Sequence, residues 1–382
     1  VISSGMVAVM TQNIGAGRPG VAYQARQLGL AFNAVLGVIM SLFLSLGAGI
    51  ILSGVGVADA LMQPAKTYLQ IVGGFCILNA LIPICSSYLR AFGFSKEPLY
   101  ASIIGNVINF CLNAFFLFVL HKGVAGVATA TVISRIINLV IVVLLGAVLV
   151  KAKQHPERES NRAVMGQIIR IGLPSACETA IYNVSMTLVI RFLNQMDAQG
   201  LNVTARSYTM QITNFSYCVG AALAQANAIM TGWHIGAKEY DACDRGTKKA
   251  AVIGVIVAVI LETVFTLCSG WIMQLFSKDP QMVSLVGKLL AIDIVLEIGR
   301  VTNLVYGQAL KTSGDAVFPV VMGACFMILC SVGGTYLFGI RLGLLAVGAY
   351  IGMTGDECVR AVGMYLRWKS GKWKEKGLVK SR

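Results

Sequence analysis

Ile14-Gly15-Ala16 recurs as Ile235-Gly236-Ala237, and Leu89-Arg90 with Gly93 and Pro98 recurs as Leu310-Lys311 with Gly314 and Pro319. Every one of these pairs is separated by 221 positions. Toward the end of each copy, Ala125-Gly126 answers to Val347-Gly348 at a spacing of 222. One short match means little, but several at a single spacing mark an internal repeat.

Between the anchors lie long apolar runs, among them 31–56, 101–120 and 252–268. A hydrocarbon core of about 30 Å is crossed by about 20 helical residues. Reading runs between polar breaks predicts ten complete helices, at 27–52, 66–90, 97–120, 123–150, 165–191, 203–232, 247–276, 280–309, 316–338 and 343–367, with residues 1–12 ending another. The expected fold class is therefore all-α and polytopic. Halves that match over an even number of spans are parallel repeats about an axis along the membrane normal, so two six-helix lobes related by a pseudo-two-fold are expected. A partner for the helix at 165–191 would begin ahead of residue 1. The expectation is a twelve-helix protein whose first helix and most of whose second lie outside this sequence. Its parts would be an N-lobe at 1–150, a cytoplasmic linker at 151–163, a C-lobe at 164–367 and a basic tail at 368–382.

Of the 382 residues 56% are hydrophobic and only 13% charged, against about 25% charged in a soluble domain. A soluble enzyme is excluded. The net charge of +14 would suit nucleic acid, but the bases are placed for topology: seven of the 31 fall in the last 16 residues. Counting Lys and Arg in alternate loops gives 20 on one side and four on the other. The linker, both Gly-Ala loops and the C-terminus are thus expected in the cytoplasm of a multi-pass cell-membrane protein, with the tail beside anionic lipid. No nucleic-acid partner is expected, and a monomer is. The ten Cys show no CxxC spacing and read as small hydrophobes. The three His have no metal-ligand spacing, and there is no GxxxxGK[ST] loop, so neither a metal, an organic cofactor nor ATP chemistry by that route is expected.

Acidic residues inside the predicted helices, away from their first and last turns, are Glu178, Glu262, Asp293, Glu297, Asp356 and Glu357, all in the second half. Glu178 follows Pro174 by four residues, and backbone carbonyls freed at such a break can help hold a cation. Ser175, Glu178, Tyr182 and Ser185 share a helix face. Glu178 is either an ion-coupling carboxylate or a group at a helix end that meets water or a base. Asp293, Glu297 and Arg300 share another face, open to reading as cavity carboxylates or as an intrahelical pair. Asp356 and Arg360 read as a structural pair. Two polar stripes, Ser207, Gln211, Asn214 and Cys218 in one half and Asn106, Asn109 and Asn113 in the other, can line a wet cavity or bond between helices. Glu262 is assigned no role. Further bases within helices are few: Arg135, Arg170, Arg191, Arg206, Lys288 and Arg360 besides Arg300.

Gln12-Asn13-Ile14-Gly15-Ala16-Gly17 resembles the loop after the second helix of MATE multidrug exporters. The stretch from Leu89 to Pro98 resembles that family's Leu-Arg-Gly-x-Gly segment, and Ile171-Gly172-Leu173-Pro174 its seventh-helix entry. The resemblance implies a secondary transporter that expels cationic or amphipathic small molecules in exchange for protons or sodium. It implies ion coupling at Glu178, Asp293, Glu297 and Arg300, with Na+ possible at Glu178. Tyr182, Ser185, Gln211, Asn214, Asn106 and Asn109 would line the substrate cavity. Sodium-coupled relatives place an acid about three turns before the second Leu-Arg segment; Arg300 stands in that register here, which favours protons. The alternative is a flippase for lipid-linked precursors from the same superfamily, whose cavity needs several bases for a diphosphate.

Overall fold

The computed structural model describes residues 3–55, 59–150, 157–197 and 200–379. Those residues form eleven principal helices: α1 (Ser3–Gly15), α2 (Pro19–Leu46), α3 (Asp59–Ala91), α4 (Lys96–Val119), α5 (Gly123–Leu149), α6 (Asn161–Met196), α7 (Leu201–Gly236), α8 (Tyr240–Leu267), α9 (Pro280–Ser313), α10 (Val317–Arg341) and α11 (Leu345–Lys369). All ten complete helices expected from hydropathy are present. Several start earlier than expected, because amphipathic first turns such as Pro19–Arg26 and Tyr240–Thr247 are helical without being apolar. Part of the expected linker, 151–156, lies outside the described residues, as do 380–382 of the tail.

The chain divides into two compact units, Val1–Ile169 and Arg170–Arg382. In the first, Met6 and Met10 of α1 and Val21, Ala22 and Ala25 of α2 are buried together with Leu89 of α3. The Arg26 guanidinium sits 4.6 Å from the Tyr88 ring centre, and Phe92 meets that ring edge-on. In the second, one core gathers Val189, Leu193, Leu289, Leu290 and Leu296 with Ala346 and Ala349. Another gathers Val301, Val305, Tyr306 and Leu310 with Met364, Trp368 and Trp373.

The repeat is written into the backbone as well as the residues. Left-handed conformations occur at Gly17 and Lys238, at Gly93 and Gly314, at His121 and Gly343, and at Gly123 and Leu345. Each pair keeps the 221- or 222-residue spacing found in the sequence. At Gly314, φ is 100° and a Cβ would come within 2.2 Å of the Lys376 carbonyl oxygen, so only glycine fits this turn. The ends of α4 and α10 are alike in another way: both finish in π-helical turns, Phe115–Val119 and Thr335–Arg341.

Six helices, α2, α3, α4, α5, α8 and α10, are long and apolar enough to cross a membrane by length and composition. Large apolar side chains such as Phe110, Phe118, Val148, Leu267 and Trp271 stand outward in quantities a water-facing surface rarely tolerates. This is a multi-pass membrane protein. The four long helices below that hydropathy, α6, α7, α9 and α11, all belong wholly or mainly to the second unit.

Candidate functional site

Those four more polar helices, together with α10, line a cavity of about 220 Å³ within the second unit. Tyr182 and Met186 come from α6, and Arg206, Met210, Thr213, Asn214 and Tyr217 from α7. Asp293, Leu296 and Arg300 come from α9, Ser331 from α10, and Tyr350, Met353, Asp356 and Glu357 from α11. Spacings of three, four and seven residues turn one stripe of each helix inward. The polar residues that lower the mean hydropathy of these helices are thus gathered onto a shared interior rather than presented to lipid. Methionine, leucine and tyrosine supply adaptable apolar walls between the charges.

Two ion-pair systems organise the charged wall. Arg300 bonds Glu297 at 2.7 Å and approaches Glu357 at 3.8 Å. Arg360 holds Asp356 at 2.8 Å and Glu357 at 2.9 Å. Ser331 donates to Asp356 and Asn303 donates to Glu357. Glu357 therefore joins the two arginines into one network across α9 and α11. Close approach of α10 to α11 helps: a Cβ on Gly334 would meet the Gly352 Cα at 2.8 Å, so the small residues let Ser331 reach Asp356.

Some acceptors in the network are unfilled. Asp293 is 2% exposed and its Oδ2 accepts no hydrogen bond among the described residues. Oε1 of Glu297 and both carboxyl oxygens of Glu262 are in the same condition. Ionised carboxylates without donors are costly at such depth, so groups placed like this are suited to carrying protons.

The residues expected to form the site are only partly brought together. Tyr182, Asn214, Asp293 and Arg300 line the cavity. Glu297 lies fully buried behind it, paired to Arg300. Glu178 does not line it: its carboxylate pairs with Lys311 at 2.5 Å, near the last turn of α9. Ser185 is buried without reaching the cavity wall. Gln211 and Asn214 border a separate, more open recess with Phe215, Phe265 and Ile272. In the first unit Asn109 donates to Ser134 and accepts from Asn113, an interhelical and intrahelical bond respectively, while Asn106 is exposed.

Sequence reasoning missed Glu357 as the bridge, and Arg206, Tyr217, Tyr350 and Met353 as wall residues. The available signal was the i, i+3, i+7 register of Tyr350, Met353 and Glu357 on one helix face. Among the described residues no group of three or more His, Cys, Asp or Glu side chains is arranged to hold a metal ion.

Comparison with known proteins gives one consistent answer. The MatE family model matches residues 1–115 and 174–337. An uncharacterized transporter, YisQ, of Bacillus subtilis is 32% identical over 99% of this chain and 84% of its own length. A probable multidrug resistance protein, NorM, of Thermotoga maritima is 22% identical over 99% of this chain and 82% of its own. Among solved structures, an outward-facing multidrug resistance MATE transporter matches with a TM-score of 0.88 at 17% identity, covering 98% of this chain and 84% of that one. A transporter of Pyrococcus furiosus, described as having a binding pocket of reversed polarity, matches at 0.87 and 18% identity, over 100% of this chain and 84% of that one. With an interior of carboxylates and guanidiniums inside a repeated membrane fold, and with this breadth of match, the chain belongs to the MatE family of membrane transporters.

Proposed function

We propose that this protein is a secondary active exporter of amphipathic small molecules, driven by exchange for protons. The observation that carries the reading is Asp293, a buried cavity carboxylate with an unfilled oxygen beside Tyr350, Met353 and Leu296. A group that binds a proton when the cavity is empty and releases it as an amphipathic cation arrives exchanges one for the other. One charge moved across 100 mV is worth about 2.3 kcal/mol, enough for roughly fifty-fold accumulation. Relatives named as multidrug resistance proteins support the same reading. Asp293, Glu297 and Arg300 form the coupling group, and Glu178 with Lys311 a second ionisable pair close to one end of the unit. The linker and tail face the cytoplasm, following the distribution of Lys and Arg, and the protein acts as a monomer.

Protons are favoured over sodium because Arg300 engages Glu297 and Glu357, which leaves few carboxylate oxygens free to coordinate a metal ion. A flippase for diphosphate-linked lipids would need several free bases in the cavity. Of its two lining arginines, Arg300 is already engaged by Glu297 and Glu357. The test is efflux of a fluorescent cation from cells expressing the protein. Efflux should collapse with an uncoupler and with Asp293→Asn, and should not respond to removal of sodium. Efflux indifferent to the uncoupler would end the proton reading.

A further inference from the structure

Two arginines are buried among the described residues, Arg360 and Arg206. Arg360 is spoken for by Asp356 and Glu357. Arg206 is only 6% exposed and lines the cavity from α7, yet no carboxylate among the described residues pairs with it. Among the described residues its one hydrogen-bond contact is from Nη2 to the Met186 sulfur at 3.6 Å, and its Nε is buried without an acceptor. A sulfur is a weak acceptor. A guanidinium cannot shed its charge to escape this position, unlike a carboxylate or a lysine. Its planar fork is therefore held, uncompensated, against the cavity.

The remaining charges are arranged asymmetrically around it. The acidic wall of Asp293, Asp356 and Glu357 comes from α9 and α11, whereas Arg206 stands on α7 next to Met186 of α6. Tyr350, also on α11, lines the same cavity. Met186, Leu296 and Met353 supply apolar wall beside these charges.

We propose that Arg206 is an anion-binding subsite, and that the substrates which fit best are zwitterionic amphipaths carrying a carboxylate as well as a cationic group. The carboxylate takes both prongs of the Arg206 fork, a geometry that guanidinium and carboxylate share. The cationic group faces the wall of Asp293 and Glu357. This rests on reading the cavity as the substrate site, and it adds the anionic half of the substrate to that reading.

The test uses rhodamine B, a zwitterion with a free carboxylate, and its ethyl ester, a cation with the same chromophore. Binding to the purified full chain in nanodiscs is followed by fluorescence polarisation. The unaltered protein should bind rhodamine B about tenfold more tightly than the ester. Arg206→Gln should erase that preference, chiefly by weakening rhodamine B binding, and Arg206→Lys should keep part of it. Equal or tighter binding of the ester by the unaltered protein overturns the subsite, and this comparison needs no variant to fold. A preference that survives in Arg206→Gln overturns it too. Proton-driven efflux of the ester is measured separately: its failure alongside a persistent rhodamine B preference sinks the export reading and leaves the subsite standing.

Discussion

The Glu178 carboxylate is paired with the ammonium of Lys311, and Lys311 holds the place in its repeat that Arg90 holds in the other. Both side chains are largely shielded, with 17% and 12% exposure. Removing one member of such a pair strands the other, at a cost of roughly 3 kcal/mol, whereas removing both costs much less. Glu178→Gln and Lys311→Met should each lower the melting temperature clearly, and the double variant should recover most of the loss. Additive losses in a double-mutant cycle would show that the pair contributes nothing jointly.

Asp293 and Glu297 should separate on two readouts. Asp293 lines the cavity and one of its buried oxygens accepts no hydrogen bond among the described residues, so Asp293→Asn should abolish proton-coupled efflux with little change in stability. Glu297 is the closest partner of Arg300. Glu297→Gln should therefore destabilise the protein by about 2 kcal/mol, read by thermal unfolding in detergent, because the partly shielded Arg300 guanidinium loses its main counter-charge.

Arg360 closes the network from the other side. Arg360→Met leaves Asp356 and Glu357 buried without their guanidinium, and the expected loss is about 3 to 5 kcal/mol. The variant should be expressed poorly at neutral pH. Adding Asp356→Asn and Glu357→Gln to it should restore expression, and a triple variant no better than the single one would contradict the charge argument.

Outside the membrane, Asp197 gathers the start of α7. Its Oδ1 accepts from the Leu201 amide at 2.9 Å and its Oδ2 from the Asn202 amide at 3.0 Å. Partial burial pushes this carboxyl up, but the bonds from Asn202, Leu201 and Gly200 outweigh it and hold the group below the ordinary carboxylate value of 3.8. A depressed folded-state value means the stabilisation is present above the ordinary value and is lost as pH falls below it. The difference in melting temperature between the unaltered protein and Asp197→Ala should be full at neutral pH and should shrink as pH drops through about 4. A difference that grows on acidification would contradict this sign.

The helices were legible because twenty-residue apolar runs have few alternatives in lipid. Their amphipathic first turns were not, since residues such as Arg26 or Lys248 reduce hydropathy without breaking a helix. Local pairs could be anticipated: Arg360 reaches Asp356 from one turn away. The Glu178–Lys311 pair could not, because the two lie 133 positions apart and only tertiary packing closes the distance. Arg206 was visible as a base inside a helix, but its lack of a counter-charge is a property of five helices at once. The π turns of α4 and α10 left no mark in composition at all.

Lys238 and Leu345 adopt left-handed turns whose counterparts at Gly17 and Gly123 are glycines. A side chain in that region costs about 1 to 2 kcal/mol, so Lys238→Gly should raise stability by up to about 1 kcal/mol, measurable by thermal unfolding. What passed from one copy to the other is the bend itself, not the residue that makes the bend easy. Ancestry in this chain is kept by dihedral angles where side chains have already drifted.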